Sequence, residues 1–159
     1  MENEITIQLP IKPGEKRYLL AKTRMPEPFR ISKTDPLGFG TLVLACLTGK
    51  RPYSHHRRDC EMKKYKDTLT IVLSTSTAMR AGVNLTNEKV KDINDHLHKL
   101  MLLDFSSFMF GAKQFHALAV ERYALEDYRD FMGIGEDDYN FDSFLKELSR
   151  KKRQYRPQL

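Results

Sequence analysis

Two cysteines, Cys46 and Cys60, are all the chain offers for disulfide chemistry. That is too few for a stapled secreted scaffold, so a reduced, cytosolic setting is the default. Long apolar runs are lacking as well. The longest, Leu42 to Leu47 between Thr41 and Thr48, is far too short to cross a bilayer. The opening MENEITIQLP is acidic and poor in apolar residues, so it does not read as a secretory leader. No nucleophile stands beside a partner base, and GFG at 38–40 and GIG at 133–135 lack the context of a phosphate loop. The histidines make no metal site. His55, His56 and Cys60 lack a fourth ligand, His96 and His98 point to different faces of a helix, and His116 stands alone. Glu136, Asp137, Asp138 and Asp142 do not have EF-hand spacing and suit an acidic turn before a helix N-terminus. The chain is therefore read as non-enzymatic, with no cofactor, no metal and no membrane partner.

What is present is charge, unevenly placed. The 159 residues favour one domain and suffice to bury a core without disulfides. The residues are 40% hydrophobic and 30% charged, with a mean hydropathy of −0.55, so the apolar residues must gather on a few faces. The formal charge is +6 and the sequence pI about 9.3. Residues 50–66 carry seven Lys/Arg against Asp59 and Glu61, and residues 146–156 carry six against Glu147. Between them, residues 121–142 carry eight Asp/Glu against Arg122 and Arg129. Such polarity suits either a polyanion or a head-to-tail contact between copies.

Periodicity sets the expected fold: α+β, mainly helical, with short N-terminal strands and a helical C-terminal half, in a single domain 1–159 with a seam near residue 80. Ile5, Ile7 and Leu9 alternate with Thr6 and Gln8 until Pro10, which reads as a short edge strand. A short helix is expected over 15–22 and a second strand over 29–32. Thr34 or Asp35 then caps a core helix, PLGFGTLVLACLT, whose first residue is Pro36. DTLTIVLS at 67–74 alternates as a strand, and 74–82 reads as a Ser/Thr/Gly-rich connection. Thr86 caps a long helix carrying Val90, Ile93, Leu97, Leu100 and Met101, bent at Ser106 and Ser107 and ended or kinked at Gly111. A further helix is expected from about 112 to 132. The last helix follows Asn140 or Asp142, with Phe141, Phe144, Leu145 and Leu148 on its apolar face.

The basic clusters are the candidate functional residues. On the last helix, Lys146, Arg150 and Arg153 recur at spacings of four and three, opposite the apolar face, with Lys151, Lys152 and Arg156 beside them. A helix docked by one face and basic on the other can lie along a phosphate backbone. Cations near a helix C-terminus also complement the macrodipole, which is the bland explanation of the same residues. In the first cluster Arg51, Arg57, Arg58, Lys63, Lys64 and Lys66 interleave with Tyr53 and Tyr65, and Tyr155 accompanies the second. Tyrosine rings can stack on bases while arginines fork onto phosphates.

The segments ITIQLPIKP, SKTDPLGFG and FMGIGEDDYNF, the last followed by a basic helix, resemble small uncharacterised proteins of phages and mobile elements of gut bacteria. That resemblance implies a bacterial host cytoplasm and no particular residue roles. The expectation is a basic nucleic-acid-binding protein, with DNA ranked ahead of RNA. The alternative is a virion or assembly subunit, homo-oligomeric or paired with another protein of the same element, in which basic and acidic patches pair between neighbours.

Overall fold

The computed structural model describes residues 3–31, 34–49, 62–115 and 121–154, with the backbone alone at 113–115, 121, 141 and 151–154. The described residues form six α-helices and three strands, an α+β architecture that is mainly helical. Strand β1 (Glu4–Ile11) pairs antiparallel with β3 (Asp67–Ser74), and β2 (Phe29–Arg30) pairs parallel with the other edge of β3. The sheet order is therefore β1-β3-β2, with β3 in the middle. The alternation explains the register. Leu9 faces Leu69, Ile7 faces Ile71 and Ile5 faces Leu73, so the apolar side chains of both strands share one face of the sheet. Pro10 does not end β1, which runs on to Ile11. An edge strand tolerates a residue without an N–H.

Helix α1 (Pro13–Thr23) begins on its proline, two residues before the expected start. It ends at Arg24, a left-handed residue whose N–H donates to the Leu20 carbonyl. Helix α2 (Phe39–Thr48) starts three residues later than expected. Asp35 does supply the cap: its buried carboxylate accepts from the backbone N–H groups of Leu37, Phe39 and Gly40. Pro36 and Leu37 lie in a turn, and Gly38 at φ +64 turns the chain into the helix. Phe39, Val43 and Leu47 are buried while Thr41 and Ala45 are exposed, so this apolar helix still has a solvent side.

The stretch expected as a connection after β3 is instead α3 (Thr75–Ala81). The Ser74 hydroxyl caps it by accepting from the Thr77 N–H. Helix α4 (Asn87–Phe115) is 29 residues long and passes through Gly111 without ending. Ser106 and Ser107 do not break it, because each hydroxyl donates to the carbonyl four residues earlier. Helix α5 (Glu121–Met132) stops at Gly133, φ +64. There the Ile134 N–H reaches the Arg129 carbonyl and the Ile134 side chain is buried, a Schellman stop. Helix α6 (Phe141–Gln154) is capped by Asn140, whose side chain accepts from the Ser143 N–H.

Two apolar clusters result, and α4 runs through both. Val90, Ile93 and Leu97 pack with the sheet, α2 and Leu19. One turn further on, Met101, Leu102, Phe105 and Met109 pack with Tyr18, α5 and α6. Fully buried Asn94 locks the β1–α1 corner onto α4. It accepts from the Lys12 N–H and donates to the carbonyls of Pro10 and Val90. Among the described residues no helix is long and apolar enough to cross a membrane.

Candidate nucleic-acid interface

The docked side of α6 is built from Phe144 and Leu148, both buried. The Phe144 ring meets Phe105 and Tyr139 edge-on, with centroids 5.2 Å away in each case. Leu145 is half-buried beside them. The 3.6-residue period then turns Lys146 and Arg150 outward, one turn apart and both exposed. They border a shallow open depression with Leu145 and Ser149. Neither meets a carboxylate among the described residues.

The one acidic residue of this cluster points the other way. Glu147 is drawn into a polar network at the junction of α1, α4 and α6. Its Oε2 lies 2.7 Å from His98 Nε2, and His98 Nδ1 lies 3.0 Å from Oε1 of fully buried Glu15. With a carboxylate at each nitrogen, both nitrogens must donate, so the ring is held as imidazolium. The Lys12 ammonium also reaches Glu15 Oε1, at 3.3 Å. The Tyr139 hydroxyl donates to Glu147 at 3.3 Å while its ring stacks on His98.

Burial alone pulls the His98 pKa down, but the hydrogen bonds to Glu15 and Glu147 and their charges outweigh it and raise it above the usual histidine range. Burial likewise pushes Glu15 up, and the His98 hydrogen bond with the charges of Lys12 and His98 holds it below the usual carboxylate range. Burial and then the two carboxylates raise the Tyr139 phenol far above its ordinary value. The consequence for the surface is simple. The Glu147 side chain, 36% exposed, is paired with His98, and Lys146 and Arg150 are left exposed on the outward middle of α6.

The network was not legible in the sequence. His98 pairs with residues 83 and 49 positions away, and only the divergence of His96 and His98 was readable. That reading holds, since His96 is exposed while His98 faces inward. Among the described residues, no group of three His, Cys, Asp or Glu side chains is placed to hold a metal ion.

The other site residues are placed unevenly. Lys63, Lys64 and Lys66 are exposed on and just after a single 3-10 turn, Met62–Lys64, that leads into β3. Tyr65 differs from its expected stacking role: only 8% exposed, it belongs to the sheet-side core, because the turn points its ring inward while the lysines around it stay in water. The Lys64 ammonium sits 5.3 Å from the centre of that ring. Lys151, Lys152 and Arg153 continue the α6 backbone, where Arg153 keeps the helical register of Lys146 and Arg150. Arg51, Tyr53, Arg57, Arg58, Tyr155 and Arg156 lie outside the described residues, as do His55, His56, Cys60 and His116. Comparison of the chain with protein-family models, curated proteins and solved structures finds no match.

Proposed function

We propose that the protein is a non-enzymatic nucleic-acid-binding protein of a phage or mobile element, and that the outward face of α6 grips the phosphate backbone. The observation that carries this reading is the pairing pattern on α6. Glu147 is paired with His98, while Lys146 and Arg150 stay exposed without a carboxylate partner among the described residues. In sequence, Arg153 follows Arg150 by three residues, and Lys151, Lys152 and Arg156 adjoin it. A rigidly docked helix presents such cations at little entropic cost, because the backbone is already ordered. Lys63, Lys64 and Lys66 are exposed members of the second basic cluster of the sequence, to which Arg51, Arg57 and Arg58 also belong. Tyr53 and Tyr155 remain the candidate stacking rings.

Such contacts are sequence-independent and salt-sensitive. Fluorescence anisotropy of the nuclease-treated protein with short single- and double-stranded DNA and RNA is the test. Binding should weaken steeply with salt, and replacing Arg150, Lys151, Lys152 and Arg153 together by Ala should weaken it on every sequence. Unchanged binding in that variant removes α6 from the interface. No binding at low salt removes the function.

A further inference from the structure

The outer face of α5 combines two features that single-chain folding does not use. Tyr123 and Phe131 are 65% and 76% exposed, eight residues and about 12 Å of helix axis apart. Asp127 lies midway between them on the same stripe, and Asp130 lies beside it. Two open aromatic faces thus flank two carboxylates. Four nearby acids have cations of their own: Asp104 has Lys22, Glu126 has Arg122, Glu136 has Arg129 and Asp138 has Arg17. Asp127 and Asp130 meet no cation among the described residues. A surface of this chemistry suits a pair of cations one helical turn apart, the carboxylates taking their charge and the rings their flat or aliphatic faces.

We propose that the outer face of α5 docks the basic face of α6 from a second copy of this chain. Lys146 and Arg150 have the matching spacing, four residues against the three of Asp127 and Asp130, and are equally unspent. Charge complementarity selects this occupant. Among the described residues nothing covers either face, and the pairing is assigned to a neighbouring copy. Each copy carries one face of each kind. The contact therefore either closes reciprocally in a two-fold dimer or propagates from copy to copy. A single helix-on-helix contact is small for a stable interface, so the association is weak, concentration-dependent and salt-sensitive. The two uses of α6 compete: the α5 face of a neighbour covers the cations that nucleic acid would take.

Sedimentation velocity on nuclease-treated protein, up to millimolar concentration at low salt, tests the contact. The expected result is concentration-dependent association that fades with added salt. Asp127→Lys with Asp130→Lys should abolish it, as should Lys146→Asp with Arg150→Asp, and mixing the two variants should restore a hetero-complex. All four positions are exposed, so circular dichroism should show both variants folded. A wild-type monomer throughout overturns the proposal, as does association that survives the α5 charge reversal or a failure of the mixture to restore it. The α5 variant retains the whole basic face of α6, so it should bind nucleic acid at least as well as wild type. Loss of self-association with nucleic-acid binding intact separates this contact from the binding function.

Discussion

The two halves of the core are held by different physics. On the sheet side, Leu9, Ile11, Leu69, Ile71 and Leu73 are fully or nearly fully buried, and the buried polar residues, Asp35 and Asn94, satisfy backbone groups. On the helical side the packing is aromatic, with Phe105 against Tyr128 and Phe144, and α6 is also tied down by the Glu15–His98–Glu147 chain. The first kind rests mainly on apolar area, and its titrating groups lie at the rim of the sheet, where Lys16 pairs with Glu27 and Asp67 and both carboxylates are held below their usual range. The second depends on a proton held between two carboxylates. The difference places the pH-sensitive joint beneath the helix that carries the basic face.

Core truncation should have the largest effect and should strike both halves together, because α4 crosses both. Phe105→Ala should cost about 3–5 kcal/mol. Urea unfolding should stay a single transition whether followed by far-ultraviolet circular dichroism or by tyrosine fluorescence. Two separated transitions would break the picture of one cooperative core sharing α4.

The ionic joint comes next. His98→Ala leaves the Glu15 carboxylate buried without its main partner and should cost about 3 kcal/mol near neutral pH. The pH profile carries the sign. His98 is raised in the fold, so its contribution is complete below about pH 6.5, the unfolded value, and is lost as pH rises through the higher folded value. Glu15 is lowered, so its contribution is complete above about pH 4.3 and is lost as pH falls through the lower folded value. The groups facing His98 are Glu15 and Lys12 from the α1 side, Tyr139 from the turn and Glu147 from α6. Wild type should therefore lose stability on the alkaline side, and His98→Ala should flatten that arm. An unchanged alkaline arm in the variant would show that the proton lies elsewhere.

On the sheet side, Asp35→Ala removes the carboxylate that accepts from three backbone N–H groups at the start of α2 and should cost about 1–2 kcal/mol, read from the urea midpoint. That loss should not alter the alkaline arm, which sharpens the contrast between the halves. Smallest of all in stability are Lys146→Ala and Arg150→Ala, expected within about 0.5 kcal/mol of wild type because both side chains are exposed. A larger loss would mean that these cations serve the fold.

Much of the sheet half was legible because strand alternation is a local signal, and 67–74 reads directly as β3. The amphipathic face of α6 was legible for the same reason, with Phe144 and Leu148 inward and Lys146 and Arg150 outward. What escaped depends on single side chains or long-range partners. The Ser74 hydroxyl caps the helix at 75–81, and Gly38 at φ +64 stands between Pro36 and the start of α2. Composition alone also misplaced Tyr65, since a charge run does not show which of its members face water. The His98 network joins three distant segments and has no local pattern at all.

The most direct test of the basic face of α6 is the salt dependence of nucleic-acid binding, measured by anisotropy for wild type and for Lys146→Ala/Arg150→Ala side by side. The expected result is weaker binding by the variant on every sequence and a log–log salt slope shallower by about 2, one unit for each lost phosphate contact. Equal affinity and equal slope for the two proteins would contradict a phosphate-gripping role for α6.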